Sequence, residues 1–221
     1  MPTIPGLEID VIPVTALSQN CSLYWDAATR VAAVVDPGGD VDRILARLAD
    51  GALRLEAILL THGHLDHVGG AAELARRAGG DTPVSIIGPH AADAFLLEQV
   101  TENAARFGLS GMENVRADRF VTAGERLHYA GRTLEVRHVP GHTPGHVVFF
   151  DADRRFLFAG DTLFRGAVGR TDFAYGDERQ LLNAIRDEIL PLGDDVIVLP
   201  GHGGMTRIGD ERRHNPFLQT R

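Results

Sequence analysis

The chain of 221 residues contains one cysteine, Cys21. A single thiol cannot close an internal disulfide, which fits a reducing compartment. Cys21 lies in the strand-like run Asn20-Cys21-Ser22-Leu23-Tyr24-Trp25, where it reads as a buried core thiol and not as a nucleophile. Long apolar runs are also missing. No window approaches the roughly 18 uncharged apolar residues of a membrane span. The start, Met-Pro-Thr-Ile-Pro-Gly-Leu-Glu, has neither the basic region nor the apolar stretch of a secretory signal, so a cytoplasmic location is expected. Positive charge is scarce: 22 Lys and Arg against 30 Asp and Glu leave a net charge of −8. With no basic run, nucleic acid is excluded as the main partner. There is no low-complexity tract, linker or fixed-period repeat.

What is present is ordinary in bulk and unusual in one place. Hydrophobic content of 44% and charged content of 24% are those of a soluble globular protein. One domain over residues 1–221 is expected, with room for a sizeable core. The unusual place is Thr61-His62-Gly63-His64-Leu65-Asp66-His67. Chance placement at this composition would give His-x-His-x-Asp-His in about 2 of 1,000 such chains. Buried without a cation, each of these groups would need its own partner. A divalent metal satisfies all four, and imidazole with carboxylate suits zinc, iron or manganese. His62 and His64 are two apart, so in an extended stretch they point the same way. Asp66 and His67 are adjacent and cannot both point there. Two directions suit two neighbouring ions.

The order of elements places this loop. Strands are read at 8–14, 20–26 and 31–35, with Asp36-Pro37-Gly38-Gly39 as a turn. Asp40 is placed as the cap of a helix whose apolar face is Val41, Ile44, Leu45 and Leu48. The buried run Ala57-Ile58-Leu59-Leu60 precedes the metal loop, and a helical stripe from Val68 to Ala78 follows it. A strand at 84–87, a helix from about Ala91 to Ala105 and an irregular flap over 108–121 come next. Strands then fall at 126–130, 133–139, 147–151, 156–159 and 196–199. Asp177, with Gln180 three later, caps a helix carrying Leu181, Leu182, Ile185 and Ile189. Strands and helices mix in both halves, so the expected class is α/β, two sheets covered by helices in αββα layers.

Three more strands end in polar residues beside glycine: Gly141-His142, Gly160-Asp161 and Gly201-His202. Residues just past strand ends are where α/β proteins keep their sites. With the first loop they make seven candidate ligands. His90 reads as a helix start, His128 and His138 as strand-surface residues and His214 as a solvated terminal residue. His146 is left between a supporting role at the centre and none.

Taken together, Thr-His-x-His-x-Asp-His, Gly-His-Thr-Pro-Gly-His, Gly-Asp-Thr-Leu-Phe and Pro-Gly-His-Gly resemble the metallo-β-lactamase superfamily, from about residue 10 onward. Within it, Gly160-Asp161-Thr162-Leu163-Phe164 and Gly169-Arg170-Thr171-Asp172-Phe173 are similar to the type II glyoxalases, which hydrolyse S-D-lactoylglutathione and related thioesters. The run Ile208 to Phe217 is similar to compact bacterial members. The resemblance implies a four-layer αββα sandwich without a separate C-terminal glutathione-binding helical domain. It implies two divalent ions, zinc first and iron or manganese as alternatives. His62, His64 and His142 would hold one, Asp66, His67 and His202 the other, and Asp161 would bridge. Asp66 and Asp161 would serve catalysis. Arg170, then Arg165, would offset the negative charge for an anionic thioester, with Phe173 beside it. The rival readings are a persulfide dioxygenase with a single iron, a non-catalytic or redox-partner module of the same fold and, more remotely, a β-lactamase. Retention of His202 and of all seven ligands favours the two-metal hydrolase.

Overall fold

The computed structural model describes residues 3–4 and 8–219. The first half runs β1 (Thr3–Ile4), β2 (Ile9–Val14), β3 (Gln19–Trp25), β4 (Val31–Val35), α1 (Val41–Asp50), β5 (Arg54–Leu59), α2 (Leu65–Val68), α3 (Ala71–Ala78) and β6 (Ser85–Ile87). A 3₁₀ turn (Ala91–Asp93), α4 (Ala94–Leu97) and α5 (Val100–Arg106) close it. The second half runs β7 (Arg126–Tyr129), β8 (Arg132–His138), β9 (Val147–Asp151), β10 (Phe156–Gly160) and a small hairpin, β11 (Leu163–Phe164) and β12 (Ala167–Val168). Then come α6 (Glu178–Ala184), a π-helical turn (Ile185–Ile189), a 3₁₀ turn (Leu190–Leu192), β13 (Ile197–Pro200), β14 (Thr206–Arg207) and α7 (Ile208–His214).

Each half makes one six-stranded sheet. The first keeps sequence order, β1 to β6, with β4, β5 and β6 parallel. The second has the order β14-β13-β10-β9-β8-β7, with β13 parallel to β10. Period-two alternation explains the layering. In β4, Ala32 and Val34 face a core shared with Ile44, Leu48 and Leu74 of the helices, while Ala33 and Val35 face the other sheet. Phe149, Phe156, Phe158 and Leu199 fill the middle from the second sheet. Leu181, Ile185 and Ile189 cover that sheet's outer face against Val148 and Leu157. Three apolar interfaces separate four layers, the expected αββα sandwich.

Several local expectations need correction. The stripe from Val68 to Ala78 is two helices, broken at Gly69-Gly70, and its first turn already carries Asp66 and His67. Asp40 stands at the N-cap of α1 in a left-handed conformation, and its carboxylate accepts the Thr15 N–H in place of a helix amide. The helix expected over 91–105 is three short pieces. Its first piece is fixed by a buried carboxylate: Asp93 accepts from the Gly63 and Gly145 amides and the Thr143 hydroxyl. Residues 108–121 are irregular as expected, yet anchored by buried Val115 and Val121. Asp177 caps α6 through the Gln180 amide at 2.9 Å, as read. Among the described residues no helix is long and apolar enough to cross a membrane.

Candidate metal centre

All seven candidate ligands converge where the two sheets meet. His62 and His64 follow β5, His142 follows β8, Asp161 follows β10 and His202 follows β13. The sheets are stitched there by Val147 N–H to Thr61 O at 2.8 Å and Asn20 N–H to Gly201 O at 2.7 Å. Close backbone approach is built in. A Cβ on Gly38 would lie 1.5 Å from the Asp66 carbonyl oxygen, and one on Gly201 would lie 2.2 Å from Asp161 Oδ1. Neither position tolerates a side chain without moving a ligand.

The donors form two groups. His64 Nδ1 lies 3.1 Å from His62 Nε2 and 2.9 Å from His142 Nε2. Asp66 Oδ2 lies 3.1 Å from His202 Nε2 and 3.9 Å from His67 Nε2. Each trio presents one donor atom per residue, all within 4.8 Å of one another. Asp161 stands between them: Oδ2 is 3.7 Å from both His142 Nε2 and His202 Nε2, and Oδ1 is 3.4 Å from His67 Nε2. His67 Nε2 and Asp161 Oδ1 are buried and have no hydrogen-bond partner. Apart from their 3.4 Å approach to each other, these two buried atoms have nothing to satisfy them, a need that a cation meets, so the residues fit a metal centre. A third overlapping trio, Asp36, His62 and His67, differs in that Asp36 is already engaged by Thr61 N–H at 2.7 Å and Thr61 Oγ1 at 2.6 Å.

Each imidazole is also held from behind. His62 Nδ1 meets Thr61 Oγ1 at 3.0 Å, and His142 Nδ1 meets the Arg170 carbonyl at 2.7 Å. His67 Nδ1 meets Asp36 Oδ2 at 2.9 Å, and His202 Nδ1 meets the Leu17 carbonyl at 3.2 Å. His64 is turned the other way, with Nε2 outward at 2.9 Å from the Tyr175 hydroxyl. Such outer contacts set which ring nitrogen keeps its lone pair for an ion.

Charge divides the groups. Burial lowers the pKa of His62, His64 and His142, and neighbouring histidines add to it at all three; His64 falls to about 3. Burial also opposes charge on His67 and His202, but carboxylates win: Asp161, Asp66 and Asp36 raise His67, and Asp66 and Asp161 raise His202. Burial alone would push Asp161 up, yet His67, His142 and His202 hold it well below the usual carboxylate range. Asp66 is lowered too, by His67 and His202 against the effect of burial.

The remaining sequence-named residues lie around this core. His146 joins neither trio; its buried Nε2 accepts the Asp161 N–H at 3.0 Å and its ring stacks on His62 at 4.6 Å. Phe173 packs against His64 and His142, with ring centroids 4.8 and 5.7 Å away. Arg170 is exposed and forms a two-pronged pair with Asp172 at 2.7 Å, its guanidinium lying over Phe173. Arg165 donates to the Met205 carbonyl, in the loop after His202. Sequence reasoning missed Asp36, Asp93 and Tyr175. Asp36 carried a usable signal, since it directly follows a buried strand as the ligands do. Tyr175 carried none, being 111 positions from His64. Burial raises its phenol to about 12, so it stays protonated at neutral pH.

Comparison with known proteins agrees with this geometry. Residues 14–202 match the model of the metallo-β-lactamase superfamily. The chain is 47% identical to hydroxyacylglutathione hydrolase GloC of Haemophilus influenzae, over 97% of this chain and 100% of that protein. It is 34% identical to a hydroxyacylglutathione hydrolase of Synechococcus, over 89% of this chain but 68% of that longer protein. The crystal structure of TTHA1623 in a di-iron-bound form superposes with a TM-score of 0.84 at 34% identity, covering 95% of this chain and all of the other. The crystal structure of the B3 metallo-β-lactamase BLEG-1 gives 0.87 at 33% identity, covering 96% of this chain and all of the other. The chain therefore belongs to the metallo-β-lactamase superfamily, where it is a metal-dependent hydrolase similar to the hydroxyacylglutathione hydrolases.

Proposed function

We propose that this protein hydrolyses thioesters, S-D-lactoylglutathione or related glutathione thioesters foremost, using two divalent ions with zinc first among them. The observation that carries the reading is the complete second trio, Asp66, His67 and His202, beside the three histidines, with Asp161 between the two. Against a single-iron dioxygenase, which would share the loop carrying Asp66 and His67, the discriminating ligand is His202. The 47% identity to a hydroxyacylglutathione hydrolase supports the substrate class.

His62, His64 and His142 would hold one ion, Asp66, His67 and His202 the other, and Asp161 both. Bound there, such ions supply a water acidic enough to ionise near neutral pH and a Lewis acid for a carbonyl oxygen. The chain's own groups do the rest. Asp66 orients the attacking water. His146 holds the peptide of Asp161 through its N–H, fixing that carboxylate between the trios. Water adds to the thioester carbonyl, the C–S bond breaks, and a carboxylic acid and a thiol result. A thiolate leaves as the anion, so the chain need not place a proton donor at sulfur. Phe173 walls the three-histidine side. Arg170 faces the anionic thiol portion from the rim, its charge shared with Asp172; Arg165 is the more distant second cation. Nothing in this scheme calls for a further folded unit.

The test is turnover of S-D-lactoylglutathione by zinc-loaded protein, with lactate and free thiol released in equal amounts. Oxygen uptake with glutathione persulfide and hydrolysis of a chromogenic cephalosporin are run beside it. Rapid oxygen uptake, or a kcat/KM for the lactam matching that for the thioester, would overturn the assignment.

A further inference from the structure

The run Gly169-Arg170-Thr171-Asp172-Phe173 continues to Tyr175, and three of its groups touch the three-histidine trio from outside. The Arg170 carbonyl holds His142 Nδ1 at 2.7 Å. The Phe173 ring packs on both His64 and His142. The Tyr175 hydroxyl meets His64 Nε2 at 2.9 Å. The segment is braced in turn: Arg170 is clamped to Asp172, and Tyr175 stacks on Phe173 at 5.3 Å and meets Phe95 edge-on at 5.4 Å.

His64 is the exception among the five candidate imidazoles. The other four turn Nε2 inward and Nδ1 outward, whereas His64 turns Nδ1 inward. A neutral imidazole has one lone-pair nitrogen, and its other nitrogen is an N–H donor. For His64 Nδ1 to offer a lone pair to an ion, the proton must sit on Nε2 and find an acceptor there. The Tyr175 oxygen is at that place.

We propose that Tyr175 is a positioning residue for the metal centre: it accepts the His64 Nε2–H, fixes that tautomer and so turns His64 Nδ1 toward the ion held with His62 and His142. Segment 170–175 is then a bracket for one trio before it is a substrate surface. This rests on the metal-centre reading above. The alternative is that Tyr175 only packs, its ring completing the wall with Phe95 and Phe173 while the hydroxyl is incidental.

The test uses the full chain with zinc as the probe, titrated against a chromophoric chelator. The wild type should take up two ions. Tyr175→Phe keeps the ring and removes the oxygen; it should weaken one ion by about tenfold or more and leave the other unchanged. Tyr175→Leu should weaken the same ion to a similar degree, since the hydroxyl and not the ring carries the effect. In a His202→Ala background, which mainly empties the other trio, Tyr175→Phe should weaken the remaining ion. Long-range ¹H–¹⁵N spectra of the zinc-loaded wild type should show His64 protonated at Nε2, with the hydrogen-bonded proton shift lost in Tyr175→Phe. A wild type that binds two ions beside a Tyr175→Phe variant with both affinities intact would overturn this proposal alone. A wild type that binds no zinc would overturn the metal-centre reading as well.

Discussion

The two halves of the centre bring similar rings to opposite electrostatic states. Behind the three-histidine half stand neutral groups: the Thr61 hydroxyl, the Arg170 carbonyl and the Tyr175 hydroxyl. Its imidazoles are pushed toward the neutral form, chiefly by burial. Behind His67 stands the Asp36 carboxylate, and beside it lie Asp66 and Asp161. Here the imidazoles are pulled toward the charged form. Without an ion, the carboxylate half can neutralise itself by taking up protons, while the histidine half is already neutral. Ring type therefore says little about how a half behaves; the carboxylates Asp161 and Asp66 beside the rings, with Asp36 behind His67, decide it.

Removing the one group common to both halves is the harshest test of this division. Asp161→Ala should disturb both ions, and His202→Ala mainly the ion of the carboxylate half, with activity down by orders of magnitude in each. Elemental analysis of the two purified variants separates them. Equal metal loss in both would end the view of Asp161 as the shared group.

Acidification asks whether the halves differ as their charges imply. An ion must displace protons from its ligands. The raised pKa values of His67 and His202 put that competition at higher pH than in the trio whose His64 sits at about 3. On dialysis from pH 8 toward pH 5, the carboxylate half should empty first, leaving roughly one ion per chain in the interval between. Simultaneous loss of both ions, or loss of the three-histidine ion first, would erase the distinction.

The smallest effect is expected at the rim. Arg170 is exposed and already paired with Asp172, so its charge is only partly available to substrate. Arg170→Ala should raise KM for S-D-lactoylglutathione by about threefold with kcat nearly unchanged, the size of an exposed and shared charge contact. The difference should shrink at high salt. Unchanged kinetics would leave the bracket as the segment's whole role.

Much of this was legible in the sequence because buried strands advertise themselves. Runs such as Val31–Val35 and Ala57–Leu60 are apolar on both faces, and a polar residue placed just past one stands out. That rule found His142, Asp161 and His202, and it would have found Asp36 had the Asp-Pro-Gly-Gly turn not absorbed it. It could not see α7, whose seven residues include one large apolar side chain, Ile208. Nor could it see the breaks in the stretch after His90, where a carboxylate, Asp93, turns inward and accepts three hydrogen bonds. Asp172 lies two positions from Arg170, within plain view, and its clamp on the arginine became apparent only with the loop's shape. The grip of Tyr175 on His64 is a long-range contact that no local pattern encodes.

The placement of the ligands on parallel and antiparallel strands also sets an order of assembly. His62, His64 and His142 are in place once β9 has paired back on β8 and docked at Thr61, before β13 is needed. His202 arrives only when β13 adds alongside β10, across the crossover that α6 provides. Synthesis from the N-terminus thus supplies all three ligands of the histidine half while the carboxylate half still lacks His202.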